Sequence, residues 1–265
     1  MQAAIDFLPV SLSGKRTLIT AGANGIGRMI AEGFQSAGAS VFVCDIDEKA
    51  VADVTANGTG LVGCVTDVSD VTSVEDMFSK VENTIGGVDI LVNNAGIAGP
   101  TAGITDIDPS DLRQTLATDV ESMFHCARLS VPHMRKSGNG CIINLGSVAG
   151  RLSFPLRTPY SAAKWGVVGF TKSLALELGP ENIRVNAILP GHVNTTRFKA
   201  VAAAKAKALN TTPEEIEADF LSVVAMRETV EKEDIANTAL FLSSPFGAAI
   251  TGQAISVCKG VEMMR

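Results

Sequence analysis

The sequence predicts an α/β fold, a doubly wound parallel sheet of about seven strands with helices on both faces. Three observations carry that reading. Short β-branched runs alternate with longer segments of helical periodicity along the whole chain, and strands separated by helices pair in parallel with both faces covered. The first run passes through Thr20-Ala21-Gly22-Ala23-Asn24-Gly25-Ile26-Gly27 straight into a helix. An acid, Asp45, closes the second run about 20 residues beyond those glycines.

The elements follow in order. Lys15–Ala21 reads as a buried strand, and Ile26, Met29, Ile30 and Phe34 mark a helix that closes at Gly38. Val41–Cys44 is the second strand, Asp47–Ala56 a short helix and Leu61–Val65 the third strand. Ser69 is the expected cap of a helix carrying Val74, Met77, Phe78 and Val81, which ends at Gly86-Gly87. Ile90–Asn93 is the fourth strand. Asp108-Pro109 starts a helix, with Pro in the first turn, that is expected to run towards Arg135. Cys141–Leu145, a helix over Thr158–Leu178 and Ile183–Leu189 come next. Thr212-Pro213-Glu214-Glu215 opens another capped helix. A helix near Asp234–Leu242 and a strand at Ala254–Val257 finish the fold. No Pro/Ser-rich linker, charge block or repeat divides the chain, so one domain over residues 1–265 is expected.

Composition narrows the function. The 265 residues include 22 Lys+Arg and 28 Asp+Glu, a net charge of −6. Nucleic-acid and anionic-membrane surfaces need clustered cations, so neither partner is expected. With 46% hydrophobic and 19% charged residues, the chain can bury a sizeable core. The five cysteines are scattered and form no CxxC or Cys/His pair, which argues against a disulfide framework or a metal site and for a reducing compartment. The leading segment MQAAIDFLPVSLSGKR has neither a basic nor an apolar targeting region. The longest charge-free stretch, Asp89 to Asp106, is broken by Asn93, Asn94, Pro100 and glycines, so it is no membrane span. A cytoplasmic globule is expected.

Glycines between a strand and a helix let the backbone approach a pyrophosphate seated on the helix N-terminus. Asp45 would accept bonds from the adenosine ribose hydroxyls and repel a 2′-phosphate, which favours NAD over NADP. Arg28, the nearby cation, lies inside the helix and is expected to face solvent. Tyr160 is the only tyrosine, and Lys164 lies four residues later on the same helix face. A free phenol ionises near pH 10, about three units above neutrality. A fixed ammonium favours the phenolate and makes it a usable base. Ser147, at the end of the fifth strand, can donate a hydrogen bond to a carbonyl oxygen.

These features, with Asp67-Val68, Asn93-Asn94-Ala95-Gly96, Tyr160-Ser161-Ala162-Ala163-Lys164, Pro190-Gly191 and Thr251-Gly252-Gln253, resemble the short-chain dehydrogenase/reductase family over essentially the whole chain. The resemblance implies a Rossmann-type fold and an oxidoreductase that moves a hydride between a nicotinamide cofactor and a secondary alcohol or ketone. It implies Tyr160 as acid/base, Lys164 on the nicotinamide ribose and Ser147 polarising substrate. It implies cofactor contacts from Gly22, Asn24, Gly25, Ile26, Gly27, Asp45, Ile46, Asp67, Val68, Asn94, Ala95, Gly96, Tyr160, Lys164, Pro190, Gly191, Val193 and Thr195. Asn93 and Gly96 would flank the adenosine ribose, and Asn144 would support the backbone.

The chain departs from the family pattern in three places. Ala21 stands where a glycine is usual, a mild change if its φ is negative. Asp119 in Thr118-Asp119-Val120 takes the position of a catalytic Asn that holds a relay water, so its charge is expected to favour the protonated ammonium and alter the pH profile. Lys259 in Val257-Cys258-Lys259-Gly260 replaces an acidic end and has no functional reading from the sequence.

The substrate side is less legible. Residues 192–229, which hold His192, Arg197, Phe198, Met226 and Arg227, are expected to form a mobile helical lid, as such a segment usually does in this fold. Arg151, Phe154, Leu156 and Arg157 would flank the pocket, with Arg157 and His192 as candidate contacts for a carboxylate or polyhydroxyl group. Few apolar anchors are apparent, which favours a small polar substrate such as a sugar, polyol or hydroxy acid. Trp165, Val167, Val168 and Phe170 spread apolar character around the Tyr160 helix, which is then either deeply buried or packed against a partner. The family resemblance implies pairing through this helix and the one before it, as a homotetramer or a homodimer. Two alternatives stand beside NAD-dependent alcohol oxidation: an NADPH-dependent ketone or ketoacyl reductase, and a non-catalytic NAD-binding scaffold.

Overall fold

Seven strands form one parallel sheet: β1 (Arg16–Thr20), β2 (Ser40–Asp45), β3 (Val62–Val65), β4 (Ile90–Asn93), β5 (Gly140–Leu145), β6 (Ile183–Pro190) and β7 (Ala254–Val257). Their spatial order is β3-β2-β1-β4-β5-β6-β7. The computed structural model describes residues 10–56, 58 and 60–264, and most of the leading segment read above lies outside them. Leu18 pairs with Phe42 on one side and Leu91 on the other. The strand order reverses at β1 and β4, and a crevice opens beyond the carboxyl ends of strands at such a point.

Alternation along the strands builds two cores. Ile19, Val41, Val43, Val92 and Ile143 face one side, where they meet Ile30 and Phe34 of α1 (Gly25–Ser36), Val51 and Val54 of α2 (Glu48–Ala56), and Ile235, Ala239 and Leu242 from near the C-terminus. Leu18, Phe42, Leu91, Ile142 and Val185 face the other. There they meet Val74, Met77, Phe78 and Val81 of α3 (Val71–Ile85) and a cluster from the central helices. Each buried aliphatic side chain contributes about 1.5–3 kcal/mol.

Three local expectations are corrected. Asp70, not Ser69, caps α3, accepting from the Thr72 N–H at 3.0 Å. The Ser69 hydroxyl is occupied, donating to Asp67 at 2.7 Å. The helix from Pro109 is also not continuous. Asp108 caps it as expected, accepting from Ser110, but α4 (Pro109–Leu116) passes into a π-helical turn over Ala117–Glu121 before α5 (Ser122–Ser137) resumes. Finally, β1 ends at Thr20, and Ala21 has φ +48, the left-handed region that favours glycine.

The remaining helices are α6 (Thr158–Leu178), α7 (Thr196–Leu209), α8 (Pro213–Ser222) and α9 (Lys232–Ser243). Thr212 and Glu215 form the expected capping box on α8. The segment carrying α7 and α8 is tied at its base by a bridge between Val193 and Val230. Lys259 acquires a structural role here, since its ammonium lies 2.7 Å from Glu228 and its carbonyl accepts from the Met226 N–H. Among the described residues, no helix is long and apolar enough to cross a membrane, and no cluster of His, Cys, Asp and Glu is placed to hold a metal ion.

Candidate active site

The glycine loop is locked onto β4. The Thr20 hydroxyl accepts from the N–H groups of Asn94 and Ala95 at 3.0 and 2.9 Å, and the Asn94 amide donates to the carbonyls of Thr20 and Ala21. A side chain at Gly27 would place its Cβ 2.2 Å from the Ala21 carbonyl, so no larger residue fits that approach. Gly25 has φ +57 and turns the chain into α1. Asn24 makes no side-chain cap, and the first turn of α1 carries no acid, so the helix opens its positive end to the cleft.

That cleft has a volume of about 760 Å³, within the range of small-molecule sites. Asn24, Gly25, Ile26, Asp45, Ile46, Asp67, Val68, Asn94, Ala95, Gly96 and Thr195 all line it. Gly22 and Gly27, also expected to touch the cofactor, are not among the residues lining the cleft. Asp45 accepts from the N–H groups of Ala23 and Asp47, which hold its carboxylate against the loop. Arg28 is engaged, 2.8 Å from Glu32 one turn later. The cradle, the open helix end and the carboxylate fit a nicotinamide dinucleotide. Asn93 does not reach the cleft: it is buried and donates to Asn144, which donates in turn to Thr171. Asn144 therefore braces side chains rather than backbone.

A second cavity, of about 150 Å³, adjoins the cleft and shares Ile26, Asn94, Gly96, Thr195 and Arg197 with it. Ser147, Tyr160, Lys164, Pro190, Gly191, His192 and Val193 line it, so elements from β5, α6 and β6 bring the expected catalytic side chains together. The Ser147 hydroxyl accepts from the Ala149 N–H at 3.1 Å, which leaves its own proton available. Lys164 is 4% exposed and donates to the Leu145 carbonyl at 3.2 Å.

Asp119 lies behind this cavity, fully buried. The π-helical turn carries it inward, where one oxygen accepts from the Ile97 N–H at 2.7 Å. The other lies 3.1 Å from the Lys164 ammonium, outside hydrogen-bond geometry but within ion-pair range. Asp119 and Lys164 thus form a direct buried ion pair.

Arg157 and His192 both reach the cavity, with Phe154 and Phe198 as expected and with Phe220, which sequence reading missed. Arg157 packs its guanidinium 4.4 Å from the centroid of the Tyr160 ring and donates to the Ala98 carbonyl. Burial pushes its pKa down, against the opposing pull of Tyr160 and Asp119. His192 stacks on Phe220 at 4.8 Å, with Phe198 and Phe154 beside it. The expected scarcity of apolar anchors fails here, because the α7–α8 segment folds Phe198 and Phe220 over the opening. Gln114, Thr118 and Lys232 in the cleft were also missed, and no local pattern marks them.

Comparison with known proteins agrees with this geometry. A family model described as enoyl-(acyl carrier protein) reductase matches residues 20–262. The 7alpha-hydroxysteroid dehydrogenase of Escherichia coli K12 is 36% identical over 253 residues, covering 94% of each chain. Among solved structures, NAD+-bound xylitol dehydrogenase superposes with a TM-score of 0.88 at 26% identity, covering 94% of this chain and 99% of that one. Actinorhodin polyketide ketoreductase with NADPH gives 0.88 at 31%, covering 93% and 97%.

Proposed function

Because the chain belongs to the short-chain dehydrogenase/reductase family of oxidoreductases, we propose that it is an NAD-dependent dehydrogenase interconverting a secondary alcohol and its ketone. The observation that carries this reading is the convergence of Ser147, Tyr160 and Lys164 on one cavity beside the glycine-loop cleft. Gly22, Asn24, Gly25, Ile26 and Gly27 would hold the pyrophosphate, Asp45 and Ile46 the adenosine ribose, and Asp67 and Val68 the adenine. Asn94, Ala95 and Gly96 would line the middle of the dinucleotide, with Pro190, Gly191, Val193 and Thr195 around the nicotinamide end. The bound nicotinamide supplies hydride transfer.

The chain's own residues handle the proton. In alcohol oxidation the Tyr160 phenolate takes the hydroxyl proton as the carbinol hydrogen leaves as hydride; in reduction the phenol returns it to the carbonyl oxygen. Ser147 donates to the same oxygen and fixes its direction. Lys164 favours the phenolate, and Asp119 positions the ammonium against Leu145 and moderates its field. Residues 192–229 close over the substrate from their tied base. We read residues 1–265 as one catalytic unit.

Asp45 and the occupied Arg28 support NAD over NADP, since a 2′-phosphate would meet a carboxylate and no free cation on α1. Exposed Trp165 and the exposed Phe124, which packs on Phe170 at 4.3 Å, support a homotetramer built through α5 and α6. The test is reduced-nicotinamide absorbance with NAD⁺ and a panel of sugars, polyols and hydroxy acids, beside Tyr160→Phe. Turnover falling by about 10²–10⁴ in the variant, with NAD⁺ still bound, is expected. Turnover that survives removal of the phenol would refute the assignment, and an NADPH-only activity would favour the ketoreductase reading.

A further inference from the structure

Arg157 is 8% exposed, and its Nε has no hydrogen-bond partner. One Nη is satisfied by Ala98 at 2.8 Å. Among the described residues, neither Arg157 nor Arg197 has an ion-pair partner, and Arg197 instead donates to the Gly96 carbonyl at 2.7 Å. The acid that acts on Arg157, Asp119, is already set against Lys164 at 3.1 Å. Two buried cations, Lys164 and Arg157, therefore share one carboxylate, and Arg197 adds a third positive charge that acts on Arg157. A buried cation without a counter-charge is costly, and the cost falls when a ligand supplies the anion.

Arg157 also stands at a junction. Together with Phe154, Val201 and Phe220, it lines both the catalytic cavity and an outer cavity of about 410 Å³. Lys205 bounds the outer space but is spent, 4.7 Å from the Phe220 centroid and paired with Asp219 at 3.6 Å. A ligand entering past Arg157 meets aromatic faces on one side and a planar, charged fork on the other.

We propose that Arg157 receives the carboxylate of the substrate, so that the enzyme acts on a hydroxy acid with an aryl or alkyl body, the body lying against Phe154, Phe198 and Phe220. This deepens the dehydrogenase reading and rests on it for the word substrate. The placement of the guanidinium over the Tyr160 ring sets a short reach between carboxylate and reacting carbon, that of a 2- or 3-hydroxy acid. A guanidinium fork binds a carboxylate through two parallel N–H bonds, which the corresponding amide cannot accept equally.

The experiment separates binding from turnover. Calorimetry with the NAD⁺-loaded protein compares benzoate with benzamide; benzoate is expected to bind at least about tenfold more tightly, and Arg157→Gln to abolish the difference. Equal affinities, or no binding of either, overturn the proposal. Retention of the benzoate preference in Arg157→Gln, with the variant's melting temperature confirming that it is folded, overturns the assignment to Arg157. Turnover is then followed with 2- and 3-hydroxy acids against their primary amides, where the acid is expected to win by about 100-fold through KM. Benzoate selectivity without turnover of any acid or alcohol would sink the dehydrogenase reading and uphold the anion site.

Discussion

Replacing Asp119 by Asn isolates the charge buried beside Lys164. The substitution is isosteric, keeps an acceptor for the Ile97 N–H and opens no cavity, so what changes is the charge and the oxygen facing Lys164, which becomes an amide NH2. Two unit charges 3.1 Å apart attract by about 5 kcal/mol at an effective dielectric of about 20. Desolvation offsets part of this, and removal of one member of a buried pair typically costs about 3–5 kcal/mol. Lys164 keeps the Leu145 carbonyl, which places the expected loss near the low end, about 3 kcal/mol. For a chain of this size that lowers Tm by roughly 6–10 °C.

The same change acts on catalysis with a definite sign. Lys164 Nζ lies 5.6 Å from the Tyr160 ring centroid and 3.1 Å from Asp119. A carboxylate paired with that ammonium partly cancels the field that favours a phenolate. Removing the carboxylate's charge should therefore move the rising limb of kcat/KM for alcohol oxidation to lower pH. The assay is kcat/KM from pH 6 to 11 at saturating NAD⁺, with thermal melts of both proteins. A superimposable pH profile would show that Asp119 does not act on the proton chemistry, and an unchanged Tm would show that the pair contributes nothing to the fold.

Asp45→Ala should reduce the preference for NAD⁺ over NADP⁺ from at least about 100-fold to below about tenfold, because like charges brought together cost several kcal/mol; a constant ratio of kcat/KM would remove Asp45 from cofactor selection. Ala21→Gly relieves a left-handed alanine with φ +48. The relief of about 1–2 kcal/mol, less the added chain entropy of about 0.4–1 kcal/mol, leaves a small rise in Tm of roughly 1–3 °C; a lower Tm would refute the strain. Asp89 resists burial because Arg16 and Ser137 donate to it, and these bonds bring its pKa down to about 2 from 3.8. Its contribution is complete above pH 4 and is lost as pH falls towards 2. Asp89→Asn should flatten urea-unfolding stability over that window; an undiminished acid slope would assign it to other carboxylates.

What the sequence reveals and what it hides divide along physical lines. The central strands are legible because they are buried on both faces, so parallel pairing leaves a continuous apolar run as their trace, while the edge strands β3 and β7 are only partly buried. The glycine loop is legible because a Cβ at Gly27 collides with a carbonyl only six residues earlier. The π-helical turn at Ala117–Glu121 leaves no such trace, since the apolar spacing continues through it, yet it alone carries Asp119 inward. The aromatic wall is legible only in part: Phe154 and Phe198 fall in segments expected near the substrate, but with Phe220 they come from three separate segments and meet only when the chain after β6 folds back. Each departure from the family pattern could be named in the sequence, but its consequence depended on a neighbour supplied by the fold. Asp119 illustrates the point. Read alone, an acid in place of Asn threatens the chemistry, whereas in the fold it lies 3.1 Å from Lys164 and acts more weakly on Arg157. If, as proposed, Lys164 serves proton transfer and Arg157 substrate selection, Asp119→Asn and Arg157→Gln should act mainly on different parameters, the first on the pH profile and the second on KM.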